Sequence, residues 1–283
     1  MSYIADRAET ARVTGSLTEY AYRELGSDNG GVPLVLLQRL RGTMDHWDPA
    51  FLDALAAGRR VLLFDNIGIG ATAGTVPDTV AGIADAAVDF ITALGLDRVD
   101  LLGWSLGGFV AQAVALAHPQ LVRRLVVAGS GPGGVPDSRP TDAKVLELLT
   151  AAENSVDDFL YLFFGTDPES QKKGRESLVR LLPRLSARGA TVTEESWRHQ
   201  LNAIIGWAGG VDSAWQRLGE LELPVLVANG IHDVVLDAGD SFAMAQRLPN
   251  AVAIFYSDAG HGFLFQHPDA FAAEVLAFLS ADD

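Results

Sequence analysis

The 283-residue chain has no cysteine, no long apolar run and a shortage of basic residues. Each lack excludes something. Without cysteine there can be no disulfide, no thiolate metal site and no cysteine nucleophile. The same lack suits a reducing cytosol, and a cytoplasmic location is expected. No stretch reaches the ~20 apolar residues that a membrane helix needs. The opening MSYIADRAET is polar and has no apolar signal core, so export by a signal peptide is not expected. Lys and Arg number 21 against 36 Asp and Glu, a formal charge of −15. A surface of that sign repels nucleic acid and anionic membranes, so neither is expected as a partner. Solubility is the plainer use of the charge. A small-molecule substrate is the expected partner, and the oligomeric state stays open, a homodimer included.

What is present reads as an α/β protein. The apolar fraction of 48% and charged fraction of 20% are those of an ordinary globular chain. Six short aliphatic runs read as buried parallel strands: residues 33–38, 60–65, 99–104, 124–129, 224–230 and 251–256. Helical stripes separate them. Val80, Ile83, Ala87, Ile91 and Leu94 form one, with Gly95 as its stop. Val110, Val114 and Ala117 form a second, ahead of Pro119. Phe271, Val275, Phe278 and Leu279 form a third. The alternation predicts a doubly wound, mostly parallel sheet. TEYAYREL at 18–25 alternates instead and predicts an antiparallel edge hairpin with residues near 10–15.

One interval breaks the pattern. Residues 136–221 carry no convincing strand but several helical stretches, among them VDDFLYLFFG, ESLVRLLPRL and EESWRHQLNAIIGWAGG. The expected organisation is a core domain of residues 1–135 and 222–283 with a helical cap at 136–221. Most cap aromatics should fill the cap's own core. Phe163 and Trp207 are candidates to face the sheet and roof a cavity, because such sheets bind ligands beyond the carboxyl ends of their strands.

Residues 103–107 read Gly-Trp-Ser-Leu-Gly, directly after a strand and opening a helix. That is G-x-S-x-G where the pattern has physical meaning. The turn strains the backbone at Ser105, and the glycines remove the collisions it would cause. A serine hydroxyl needs a base to take its proton. The acid should come next in the chain and the histidine last. Asp233 follows the strand at 224–230, and His261, between two glycines, follows the strand at 251–256. Among the competitors, His118 and His267 precede prolines and read as structural, His199 lies in the cap, and His46 could reach only the edge of the site. His232 would point away from Asp233's direction. Asp237 and Asp258 are reserve acids, and an Asx-type bond is the expected role of Asp258.

The constellation resembles the α/β-hydrolase fold family over nearly the whole chain: LVLLQ with its loop and Trp47, DNIGIG at 65–70, GWSLGG, NGIHDVV and GHGF. It looks most like the capped esterase, lactonase and haloperoxidase-like branch. The resemblance implies Ser105 as nucleophile, His261 as base and Asp233 as its orienting acid. It implies an oxyanion hole of the Leu106 and Leu40 backbone N–H groups, and no metal or cofactor. Two departures stand out. Gln38-Arg39 replaces the family's common His-Gly, with Gln38 able to brace the loop as the histidine does. Ile67 stands where an arginine is common.

Arg39 and Arg41 therefore sit in the loop nearest the serine of an acidic protein. One could hold a substrate carboxylate; the plainer expectation is an exposed arginine or one paired with Asp45 or Asp48. Trp104 either lines the pocket or packs behind the sheet, and with Gln38, Arg39, Phe163 and Trp207 it is a substrate-binding candidate. The expected function is hydrolysis of a carboxylic ester or lactone of a small, largely apolar substrate through an acyl-enzyme. The alternatives are C–C hydrolysis of a diketone-type substrate, a receptor that keeps the triad, and a non-hydrolytic lyase or cyclase.

Overall fold

Strand Ala11–Thr14 (β1) and strand Glu19–Leu25 (β2) form the predicted hairpin, with Val13 opposite Tyr20. The computed structural model describes residues 3–188 and 192–281. The first two residues of MSYIADRAET and the last two of the expected core segment lie outside the described residues. After the hairpin the chain runs through β3 (Leu34–Leu37), α1 (Pro49–Ala56), β4 (Val61–Phe64), α2 (Val80–Ala93), β5 (Val99–Trp104), α3 (Leu106–Ala117) and β6 (Val122–Ala128). Four helices follow: α4 (Ala143–Thr150), α5 (Val156–Phe163), α6 (Pro168–Arg188) and α7 (Glu194–Ala208). The sheet resumes with β7 (Val225–Gly230), α8 (Ala238–Arg247), β8 (Ala251–Tyr256), α9 (Phe263–Gln266) and α10 (Pro268–Ser280).

The eight strands lie in the order β1-β2-β4-β3-β5-β6-β7-β8. β2 pairs antiparallel with β4, and every pairing from β4 to β8 is parallel. β3, β4, β5 and β7 are buried along their whole length, which is why their sequences are unbroken aliphatic runs rather than alternating ones. One face is covered by α2, α3 and α8 through residues such as Ile83, Phe90, Val110, Val114 and Met244. The other is covered by α1 and α10 through Phe51, Leu52, Phe271, Val275 and Leu279. Gly95 takes φ +69° just past α2, as a left-handed helix stop requires. Two expectations change. AVAIFY is not a buried strand: as the outermost strand it leaves Val252 53% exposed. Ala117 is exposed, because α3 ends there and its last turn clears the sheet.

Between β6 and β7 the described residues contain helices and no strand. The stretch ESLVRLLPRL is only the middle of α6, which starts at Pro168 and continues through Pro183. This helical insertion is tied down by polar side chains. Asp48 caps α1 by accepting the Ala50 N–H at 2.9 Å. The same fully buried carboxylate accepts Ser177 Oγ and Arg180 Nη2 of α6, each at 2.7 Å. On α7, Ser196 Oγ donates to the Gly68 carbonyl at 2.8 Å, and His199 Nδ1 donates to that of Val76 at 2.6 Å. Trp207 stacks on Phe109 of α3, ring centroids 5.6 Å apart. No helix among the described residues is long and apolar enough to cross a membrane.

Breaking a buried ion pair from one side strands the other charge. Asp48→Ala should therefore lower the unfolding free energy by about 3 kcal/mol, as read from urea melts. A loss below about 1 kcal/mol, the size of a surface pair, would mean that Asp48 does not anchor α6.

Candidate active site

The turn from β5 into α3 is built without room for side chains. A Cβ at Gly103 would lie 2.1 Å from the Gly107 carbonyl oxygen, and one at Gly107 would lie 2.0 Å from that of Leu37. One at Gly108 would meet Ser130 Oγ at 2.4 Å. Ser105 between them sits at φ +57°, ψ −122°, a conformation that costs an L-residue of order 1–3 kcal/mol. The backbone around it is held on both sides. Ser105 N–H donates to the Ala128 carbonyl, and the Ser105 carbonyl accepts from Gly108 N–H and Ser130 Oγ. Its hydroxyl does not cap the helix and has no hydrogen-bond partner among the described residues.

Asp233 lies just beyond β7. Its Oδ1 accepts the N–H groups of Val235 and Leu236, at 2.8 and 2.9 Å. Its Oδ2 accepts His261 Nδ1–H at 2.7 Å, and both residues are buried. An acceptor there assigns the ring proton to Nδ1 and leaves Nε2 as an acceptor with no partner among the described residues. The loop carrying His261 is fixed from several sides. Trp104 Nε1 donates to the His261 carbonyl at 3.1 Å, and Gly262 N–H donates to the Phe163 carbonyl. The rings of Trp104 and Phe163 both lie 5.6 Å from the imidazole. A serine with an unsatisfied hydroxyl, an imidazole with an open nitrogen and a buried carboxylate behind it are the groups that proton transfer from a serine requires. In apo structures such serine–histidine contacts are often long and tighten on substrate.

The two backbone N–H groups expected to serve as oxyanion donors are both without an acceptor among the described residues. Leu106 N–H is in the first turn of α3, where no intrahelical acceptor exists. In the loop after β3, Arg39 N–H goes to Gln38 Oε1 and Arg41 N–H goes to Gln200 Oε1, both at 2.9 Å. The Leu40 N–H between them has no acceptor among the described residues. Gln38 also donates from Nε2 to the Thr43 carbonyl at 3.2 Å, so both ends of its amide are spent on the loop. A cavity of about 30 Å³ is lined by Gln38, Arg39, Leu106, Gly107 and Gln200 among others.

Residues 32–268 match the family model of the alpha/beta hydrolase fold. The chain belongs to the alpha/beta hydrolase fold family. It is similar to "Putative carbamate hydrolase RutD" of Caulobacter sp. (strain K31), 30% identical over 88% of this chain and 91% of the relative. It is also similar to "2-hydroxy-6-oxononadienedioate/2-hydroxy-6-oxononatrienedioate hydrolase" of Klebsiella pneumoniae, 29% identical over 79% of this chain and 77% of the relative. Among solved structures, an alpha/beta hydrolase fold protein from Chitinophaga pinensis superposes with a TM-score of 0.89. It is 33% identical, over 98% of this chain and 99% of that one.

Within this hydrolase the expected binding residues separate. Trp104 and Trp207 are each 1% exposed. Trp104 is packed by Trp47, Phe163, Phe265 and His261, and Trp207 by Phe109, so neither offers a free face to a ligand. Phe163 lies against His261 and Arg39. Arg39 and Arg41 pair with neither Asp45 nor Asp48, whose carboxylates are already taken by Arg23 and Arg180. Arg39 lies over Phe163 and Trp104 instead, 4.9 and 5.7 Å from the centroids. Arg41 donates to the Ala151 and Ala152 carbonyls at the end of α4 and lies over Trp197.

The reserve residues have other occupations. Asp237 caps α8 and pairs with Arg139. Asp258 makes no Asx-type bond among the described residues; its Oδ1 pairs with His267 Nε2 at 3.0 Å. His232 is exposed. Ile67 packs against Gly74, where a Cβ would lie 2.7 Å away. No group of three or more His, Asp or Glu among the described residues is placed to hold a metal ion.

The sequence reading missed a buried polar chain behind the serine. Asn229 Nδ2 donates to Ser241 Oγ, Ser241 Oγ to the Ser130 carbonyl, and Ser130 Oγ to the Ser105 carbonyl. The available signal was placement: Ser130 and Asn229 sit at the carboxyl ends of β6 and β7, as Ser105 does at that of β5.

His46 accepts the Thr43 N–H on Nδ1. Burial, with Arg39 and Arg184 nearby, pushes its pKa down to about 3 from the ordinary 6.5. The unfolded chain gains this proton near pH 6.5 and the folded one only near 3. Stability is thus lost as pH falls below 6.5. Urea melts at about pH 7.5 and about pH 5 should show that loss, and His46→Asn should flatten it. An unchanged slope in the variant would remove His46 as its source.

Proposed function

We propose that the protein is a serine hydrolase cleaving a carboxylic ester or lactone, with Ser105, His261 and Asp233 as its triad. The observation that carries this reading is the buried 2.7 Å bond from His261 Nδ1 to Asp233, beside a serine held at φ +57°. Ser105 Oγ attacks the carbonyl carbon while His261 Nε2 takes its proton. Asp233 keeps the imidazole in the required tautomer and stabilises the imidazolium. Its two backbone N–H bonds hold the carboxylate at the angle this needs. The tetrahedral oxyanion is received by the N–H groups of Leu106 and Leu40. Such donors are worth about 3 kcal/mol each because they are already oriented when the charge develops. His261 then protonates the leaving group, and water attacks the acyl-enzyme with His261 as base. The helical insertion acts as a cap that keeps the small site dry.

A second reading has a specific support. One relative is named for hydrolysis of a 2-hydroxy-6-oxo-dienedioate, and the same nucleophile and base serve C–C cleavage of such a ketone. A relative named as a putative carbamate hydrolase supports keeping carbamates, also cleaved at an acyl carbon, among the substrates to test.

Purified protein should show a burst with 4-nitrophenyl butyrate, and a serine-directed phosphonate should label Ser105. Ser105→Ala should cut kcat by at least about 10⁴-fold with an unchanged melt. Asp233→Asn should cost about 10³–10⁴-fold. No burst and no labelling would end the hydrolase reading.

A further inference from the structure

We propose that Arg39 is the specificity residue of this site and that the physiological substrate carries a carboxylate that it binds. This deepens the hydrolase reading and rests on it for the position of the reacting carbonyl. Four observations converge. Arg39 is next to Leu40 in the chain and lines the same cavity as Leu106, so it borders the proposed oxyanion donors. The two rings beneath its guanidinium, Phe163 and Trp104, are the two that flank His261. Its hydrogen-bonding capacity is mostly unused. Nη1 donates to the Leu40 carbonyl at 2.7 Å, Nε is buried without a partner, and no carboxylate pairs with it among the described residues. The charge that acts on it is that of Arg41, of the same sign.

The contrast with the other arginines is informative. Arg23, Arg123 and Arg180 each face a buried aspartate, at 2.6, 2.7 and 2.7 Å. In a chain with 36 acidic residues against 21 basic ones, an acidic partner was easy to supply. At Arg39 none is supplied. Burial already pulls its pKa down to about 10, so it remains a cation at neutral pH while having lost much of its water. A planar guanidinium stacked on aromatic rings, with edge N–H groups open, matches a carboxylate in shape and charge. The chain thus holds a desolvated positive charge beside its reactive serine in a protein whose net charge is −15.

Two pairs of esters test this, each differing by one carboxylate. On the acyl side the pair is 4-nitrophenyl hemisuccinate against 4-nitrophenyl butyrate. On the leaving-group side it is 4-carboxyphenyl butyrate against phenyl butyrate. In at least one pair, wild-type kcat/KM should favour the acid, mainly through KM. Arg39→Gln should lose on the order of 10- to 100-fold more on that acid than on its neutral partner, and Arg39→Lys should fall between. Equal losses on acid and neutral esters would overturn the proposal, since Arg39 would then act at the carbonyl common to both. Wild type showing no acid preference in either pair would overturn it without any variant. Binding separates this idea from the hydrolase reading. Succinate, but not succinamide, should raise the Tm of wild type and of Ser105→Ala, and not that of Arg39→Gln. A succinate shift without any turnover would leave the carboxylate site standing and remove the hydrolase. Turnover of the neutral esters with neither a shift nor an acid preference would do the reverse.

Discussion

The turn between β5 and α3 has no spare volume, and the rest of the site depends on that. Leu37, Gly103 and Gly107 approach so closely that a carbon added at either glycine would lie about 2 Å from a backbone oxygen. The close approach brings the loop after β3 against the first turn of α3. That contact sets Leu37 and Gln38 against Gly107, one residue past Leu106. It also explains why the strain at Ser105 persists: Ala128, Gly108 and Ser130 hold its backbone from both sides, so relaxation would break several bonds at once.

The parallel sheet supplies the rest of the geometry. Ser105, Asp233 and His261 each follow a different strand, and strand ends on one rim of a parallel sheet converge without long loops. The chain from Asn229 through Ser241 and Ser130 to the Ser105 carbonyl runs along that rim inside the protein. It couples the loops after β5, β6 and β7 by hydrogen bonds that have no water to compete with them. Trp104 does the same for the fourth loop, with its ring against His261 and its indole N–H on the His261 carbonyl.

The six parallel strands, the hairpin and the positions of Ser105, Asp233 and His261 were legible because periodicity, glycine placement and chain order are local properties. Gln38 was legible as a brace because its amide bonds only within its own loop. Arg39 was not. Its surroundings are set by Phe163 and Trp104, distant in sequence, and a reading confined to neighbours offered Asp45 and Asp48. The exposed edge at β8 failed for a related reason: strand order is a property of the whole sheet, and AVAIFY has the same composition as a buried strand. The sequence left Trp104 open between lining the pocket and packing, and distant residues such as Phe163 decide for packing; Trp207 faces the core as its place in the insertion suggested, but against Phe109.

Arg41 and Gln200 show that the helical insertion is not a detachable module. Arg41 reaches from the loop after β3 to the carbonyls closing α4, and Gln200 of α7 returns to the Arg41 N–H. The loop that carries the Leu40 N–H is therefore shaped partly by residues more than a hundred positions downstream. Exchanging this insertion for that of a relative would change the aim of the loop as well as the walls of the pocket. Chimaeras in this family would have to carry the residues of the loop and of the insertion together, as one inherited unit.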